Sequence, residues 1–280
     1  MLFNKDRALE LMEKFSLDAI VASTPENIQY VSGFEGWTQN IYKYTRAQGF
    51  ALFFRNANAP AALLISPQEN TYAAGQALTV PDVYMYGRRG GVHWPEAAKP
   101  KGREEEVFAR LVQGRTFGGP GEGLVWILRD RGCASGRIAL DDERCTAAIK
   151  GHVTRELSGA QVLPGSNLFR NIRLVKTKDE IARLRAAARA NEAAYASVVK
   201  AAKRGAAELD VALTYRKAVA AAGGLFGWFH CGAGRRSCTV FPPTKNRLKA
   251  GDLYVFDAGM CLEGYFADTG GCGTIGKPAE

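Results

Sequence analysis

No two of the six cysteines (Cys133, Cys145, Cys231, Cys238, Cys261, Cys272) stand as a Cys-x-x-Cys pair, so a zinc knuckle has no support. Reduced, mostly buried thiols are the expectation. No apolar run approaches the ~18 residues a membrane-spanning helix needs. The opening Met1-Leu-Phe-Asn-Lys-Asp-Arg7 lacks the apolar core of a signal peptide. These absences point to a cytoplasmic protein with no membrane partner. The glycine-rich stretch Gly114 to Gly123 is followed by no Gly-Lys-Ser/Thr and preceded by no immediate strand, which excludes a phosphate loop. It reads as an ordinary loop, as does Gly87 to Lys101. A basic block interleaved with aromatics is missing too, and so is a helix-turn-helix pattern. The net charge of +9 is scattered over Arg88-Arg89, Arg129 to Arg131, Arg183 to Arg189 and Arg235-Arg236. It reads as a surface property, and nucleic acid is not an expected partner.

What is present is an ordinary globular composition, 46% hydrophobic and 23% charged, in 280 residues, a length comfortable for two domains. Residues 1 to 165 alternate helix-like and strand-like segments. Asp6 to Phe15 has helical spacing of Leu9, Leu11, Met12 and Phe15. Ala19 to Ala22, Gly49 to Phe54, Ala62 to Ile65, Val83 to Tyr86 and Ile138 to Leu140 read as strands. Gln68 to Leu78 and Glu104 to Val112 read as helices between them. The pattern predicts an α/β domain with a mixed, largely covered sheet. Pro25 to Phe34 reads mainly as a loop after the first strand, with Asn27 suited to a cap or turn.

A boundary near Gly165 to Arg170 divides the chain into domains 1–165 and 166–280. Beyond it, Thr177 and Glu180 form a capping box that opens a long helix. Ile181, Leu184, Ala188, Ala194 (or Tyr195) and Val198 recur on one face, and Gly205 ends the run. A second helix, Glu208 to Ala222, stops at Gly223-Gly224.

The most informative stretch is the end. Leu253 to Phe256 and Tyr265 to Ala267 read as strands joined by a turn that includes Gly264. A turn centred on Leu262 and Glu263 would set Asp257 directly opposite Asp268, with Cβ atoms about 5 Å apart. Two like charges so placed destabilise a hairpin unless a cation lies between them, and carboxylates are hard oxygen ligands for divalent ions. The plainer alternative is an edge hairpin with two solvated acids in another register.

The run Asp257-Ala-Gly-Met-Cys-Leu-Glu-Gly264-Tyr265-Phe-Ala-Asp268, led in by Gly251-Asp252-Leu253, resembles the first metal-ligand segment of the creatinase/prolidase/aminopeptidase P ("pita-bread") metallopeptidase superfamily. Pro25-Glu-Asn-Ile-Gln-Tyr-Val-Ser-Gly33-Phe34 is similar to a segment of that superfamily's N-terminal domain. Arg173-Leu-Val-Lys-Thr-Lys-Asp-Glu-Ile181 resembles the entry to its catalytic domain. The resemblance implies a creatinase-like N-terminal α/β domain followed by the first half of a pita-bread catalytic domain, an α/β (α+β) chain. It implies two divalent ions (manganese, cobalt or zinc), with Asp257 binding one and Asp268 bridging both. It also implies a peptide or small-amide substrate, often Xaa-Pro, and a homodimer. It names no catalytic residue here.

The sequence also departs from that pattern. The superfamily's other ligands, one His and two Glu, lie well beyond the second Asp, whereas this chain ends twelve residues past Asp268. The three histidines, His93, His152 and His230, offer no convincing replacement. An inactive N-terminal portion of a longer protein is the expectation. A substrate-facing His is replaced by Val240, and the Ser/Thr-Arg-Thr after the second Asp by Gly270-Gly271-Cys272. His230, between Phe229 and Cys231, reads more readily as a packing residue than as a substitute. Three functions are therefore carried forward: an Xaa-Pro-type peptidase, a non-peptidase amidohydrolase, and a non-catalytic binding or dimerisation homologue.

Overall fold

The computed structural model describes residues 1–38, 48–87, 95 and 98–278. His93 and most of the segment from Gly87 to Lys101 lie outside these. The chain forms two compact units, Met1–Thr177 and Lys178–Glu280. Among the described residues no helix is long and apolar enough to cross a membrane, and all six cysteines are free thiols.

The first unit is built on a seven-stranded sheet. Its strands are β1 (Ala19–Ala22), β2 (Phe50–Phe54), β3 (Ala62–Ile65), β4 (Asp82–Tyr86), β5 (Thr116–Phe117), β6 (Arg137–Leu140) and β7 (Gln161–Pro164), in the order β5-β4-β3-β2-β1-β6-β7. β2 runs antiparallel to both β1 and β3, and every other pairing is parallel. β1, β2 and β3 are apolar and buried at every residue, as strands covered on both faces must be. The helices are α1 (Lys5–Lys14), α2 (Pro25–Ser32), α3 (Asn70–Gly75), α4 (Arg103–Gln113), α5 (Pro120–Asp130), α6 (Ala147–Glu156) and α7 (Ser166–Arg173).

Three segments differ from their sequence reading. The glycine-rich stretch is no loop: it holds β5 and the first turns of α5, with Pro120 opening the helix. A Cβ at Gly123 would stand 2.8 Å from a Leu64 methyl, and one at Gly121 2.9 Å from the His152 ring. These glycines bring α5 close to its neighbours. Gln68 to Leu78 is a 3₁₀ turn, Pro67–Glu69, running into the short α3. Pro25 to Ser32 is helical, because Thr24 caps it by accepting from the Asn27 N–H and Gly33, at φ +75°, closes it.

Asn27 is therefore no cap; its side chain donates to Asp141 Oδ2 at 2.9 Å. Asp141 is fully buried at the end of β6. It also accepts from the Ser23 and Thr24 N–H groups at 3.2 and 3.0 Å and from Ser166 Oγ at 2.8 Å. Arg173 in turn donates to Asn27 Oδ1 at 3.1 Å. Through Ser166 and Arg173 the helix α7 is tied into the first unit.

The second unit is α8 (Lys178–Ala201) and α9 (Glu208–Ala221) packed on an antiparallel sheet ordered β10-β9-β8. β8 is Leu225–Ala233, β9 Leu253–Leu262 and β10 Tyr265–Thr274. Phe229, Cys231, Tyr254, Phe256, Ala258 and Met260 face the helices and join Val198, Val211, Tyr215 and Val219 in one core. The buried stripe of α8 runs through Glu180, Ala187, Asn191, Ala194 and Val198, while Ile181 and Ala188 point outward. The stripe is rotated because a polar residue belongs to it. Asn191 donates to the Ala258 carbonyl at 3.2 Å and accepts from the Tyr215 hydroxyl.

Burial alone would raise the Asp141 carboxyl, but hydrogen bonds from Asn27, Thr24, Ser166 and Ser23 outweigh it and hold the group below the usual carboxylate range. Its stabilisation is complete above its unfolded pKa and is lost as pH falls through the lower folded value. Asp141→Ala should thus cost on the order of 3 kcal/mol at neutral pH. Urea midpoints should show this gap constant from about pH 8 to 5 and narrowing below about pH 4.

Candidate metal centre

β9 and β10 are joined by a two-residue turn, Glu263-Gly264, with φ of +50° and +83°. Two positive φ values suit the right-handed twist of the flanking strands, and glycine takes the second without strain. The turn therefore lies one residue later than the sequence suggested. Leu262 pairs with Tyr265, Asp257 with Gly270 and Asp268 with Gly259. Asp257 and Asp268 are not directly opposite; they are diagonal neighbours. Moving the register by two preserves the face, so both carboxylates stand on the side of the sheet away from α8 and α9. The Asp268 carboxyl is pushed up by burial first, then by the charge of the neighbouring Asp257 carboxylate.

β8 brings two further side chains to this face. His230 pairs directly with Asp257 across the ladder, and its Nδ1 lies 3.7 Å from Asp257 Oδ2. The reading of His230 as a packing residue is thus corrected: its side chain is 42% exposed, while the neighbouring Phe229 turns inward to the core. Trp228 Nε1 donates to Asp257 Oδ1 at 3.1 Å. The indole lies across Gly259, where a Cβ would meet the ring at 2.3 Å. That contact explains the glycine two residues after Asp257. The backbone beneath is pinned from the other side by Asn191 at the Ala258 carbonyl.

After β8 the chain folds over through a second buried acid. Glu208, at the start of α9, is fully buried. It accepts from the Ala233 N–H at 3.3 Å, Arg236 Nε at 3.1 Å, the Thr244 N–H and hydroxyl at 3.0 and 2.8 Å, and Asn246 Nδ2 at 2.9 Å. Burial works against its charge, and these hydrogen bonds overcome that and lower its carboxyl. Glu208 so fixes the connection that carries Val240, itself 39% exposed.

Sequence reasoning did not find β8, Trp228 or Glu208. The strand was marked by alternation, with Phe229, Cys231 and Ala233 facing in and Trp228, His230 and Gly232 facing out. As the side chains stand, no group of three or more His, Cys, Asp or Glu among the described residues is close enough to hold an ion alone. Asp257 and Asp268 nonetheless fit a divalent ion: they are crowded, hard oxygen donors on one face, and the Trp228 N–H orients one of them.

The sequence profile of the Creatinase/Prolidase N-terminal domain matches residues 5–175, and that of metallopeptidase family M24 matches residues 182–280. The chain belongs to the creatinase/prolidase, or pita-bread, metallopeptidase superfamily. No curated protein sequence matches it. Among solved structures, an Xaa-Pro dipeptidase from Bacillus anthracis is similar with a TM-score of 0.69 at 16% identity, over 98% of this chain and 65% of that one. The X-Pro aminopeptidase from Thermotoga maritima MSB8 gives 0.66 at 17% identity, over 99% and 66%. The prolidase from Pyrococcus horikoshii OT3 gives 0.66 at 16%, over 98% and 65%. This chain therefore spans about two thirds of the length of the structures it resembles.

Alanine in a strand interior ordinarily stabilises relative to glycine. Gly259→Ala should do the reverse, costing roughly 1–3 kcal/mol, because its methyl displaces the Trp228 ring. The Trp228 indole N–H resonance should move as its bond to Asp257 is lost. Unchanged stability and an unmoved resonance would show that the indole does not rest on this glycine.

Proposed function

We propose that this chain carries the first two ligands of a dinuclear metal centre in an Xaa-Pro-type metallopeptidase. The observation supporting it most is that Asp257 and Asp268 share one sheet face as diagonal neighbours on paired strands. Asp257 and Asp268 would hold the ions from that face. Bound divalent ions, manganese, cobalt or zinc, supply Lewis acidity and a water of lowered pKa for attack on an amide carbonyl. The protein's own part is positional. The Trp228 N–H fixes the rotation of Asp257, Asn191 fixes the strand beneath it, and Glu208 holds the connection bearing Val240. The substrate is a peptide, and the working protein is a cytoplasmic homodimer.

A second reading, a non-peptidase amidohydrolase, is favoured by one feature: Val240 and Gly270-Gly271-Cys272 stand where the superfamily has polar or charged groups. Assaying Xaa-Pro dipeptides against small amides, with a protein that includes the remaining ligands, separates the two.

Metal binding is testable on the 280 residues themselves. Manganese that binds only the folded hairpin stabilises by RT ln(1 + [L]/Kd), and with two protein ligands the shift should be on the order of 1 kcal/mol. Thermal melts should show that shift in the wild type and its loss in Asp257→Asn and Asp268→Asn. The same response in all three proteins would refute the site. Removing the Asp268 charge also removes a repulsion, so Asp268→Asn without metal should be no less stable than wild type at neutral pH.

Two of five ligands cannot hold an open dinuclear geometry. The 280-residue chain should therefore hydrolyse no Xaa-Pro dipeptide with any added metal. Manganese-dependent turnover above an Asp257→Ala control would contradict this.

A further inference from the structure

We propose that His230 is a metal ligand: its Nδ1 supplies a nitrogen donor to the ion that Asp257 holds. The inference rests on the metal reading of the hairpin and adds to it a donor outside the two carboxylates.

The placement of His230 is set by the backbone. It is the in-register partner of Asp257 in an antiparallel pair, so the two Cβ atoms stand about 5 Å apart on one face whatever rotamers the side chains take. The separation of 3.7 Å between Nδ1 and Oδ2 is too long for a hydrogen bond. It does suit two donors that each lie about 2.1 Å from a common ion. The two Asp257 oxygens are also differentiated. Oδ1 accepts the Trp228 indole N–H, so Oδ2 is the oxygen presented to His230. Both side chains are partly exposed, at 42% and 35%, which leaves an ion access from solvent. Asp257 is flanked on one sheet face by His230 directly opposite on β8 and by Asp268 diagonally on β10.

Imidazole changes the metal preference. A carboxylate-only pair accepts manganese readily, whereas a nitrogen donor favours zinc and cobalt. The chain should thus discriminate between ions, and that discrimination should depend on one residue.

The test titrates zinc, cobalt(II) and manganese separately into the 280-residue chain against a chromophoric chelator. ¹⁵N-histidine spectra are recorded alongside with zinc. Zinc should shift the His230 Nδ1 resonance, assigned by its disappearance in His230→Gln. That variant should bind zinc and cobalt at least tenfold more weakly and manganese within threefold of wild type, while Asp257→Asn should abolish binding of all three. If zinc binds in an Asp257-dependent way but His230→Gln is indistinguishable and Nδ1 does not move, His230 is no ligand and the carboxylate site stands without it. If wild type binds none of the three ions, both readings fall together. Should His230→Gln fail to fold by circular dichroism, the resonance is assigned instead as the one that persists in both His93→Gln and His152→Gln, and its shift with zinc in wild type decides.

Discussion

The second unit depends on the register of one hairpin. The turn Glu263-Gly264, with both φ values positive, sets which residue of β10 lies opposite which residue of β9, and β8 takes its alignment from β9 in turn. The same ladder sorts side chains between two environments. Phe256, Ala258 and Met260 pass to the helices, while Asp257 goes to the opposite face with His230 and Asp268. Core and candidate site are thus two products of one alignment, and neither could be changed without the other.

Each unit is organised internally by a buried acid. Asp141 gathers donors from the β1–α2 corner and from α7; Glu208 gathers them from the chain between β8 and β9. Each replaces a hydration shell with several oriented N–H and O–H groups, which is the condition for burying a charge. Each also organises irregular chain next to a sheet, where backbone groups would otherwise lack partners.

Legibility followed the range of the forces involved. Strands β1, β2 and β3 were readable because unbroken apolar runs have one stable placement, the middle of a covered sheet. Asp257 and Asp268 were readable because they sit in a short motif and their same-face relation survives a register error of two. The exact opposition was not, since Leu262-Glu263 and Glu263-Gly264 are both plausible turns until the φ values are known. α2 and α5 were hidden for different reasons. The helix at Pro25 depends on a cap from Thr24, and that at Pro120 on glycines whose value lies in their contacts with Leu64 and His152. Asn191 was missed because a polar residue in a buried stripe makes sense only once its partners, Tyr215 and Ala258, are in place.

The strand ladder also determines where this chain could gain or lose a residue during evolution. A residue added within the turn merely lengthens it, and the arms keep their pairing. A residue added between Asp257 and Leu262, or between Tyr265 and Asp268, turns one carboxylate over to the helix side. β8 shows an escape: between Phe226 and Trp228 a bulge at Gly227 resets the alternation. Phe226 therefore turns to the helix side, its ring centroid 6.2 Å from that of Tyr215, while Trp228, two residues on, reaches Asp257. The arms of the hairpin have no such bulge, so their lengths behave as constants, and the turn between them is where length variation among homologues belongs.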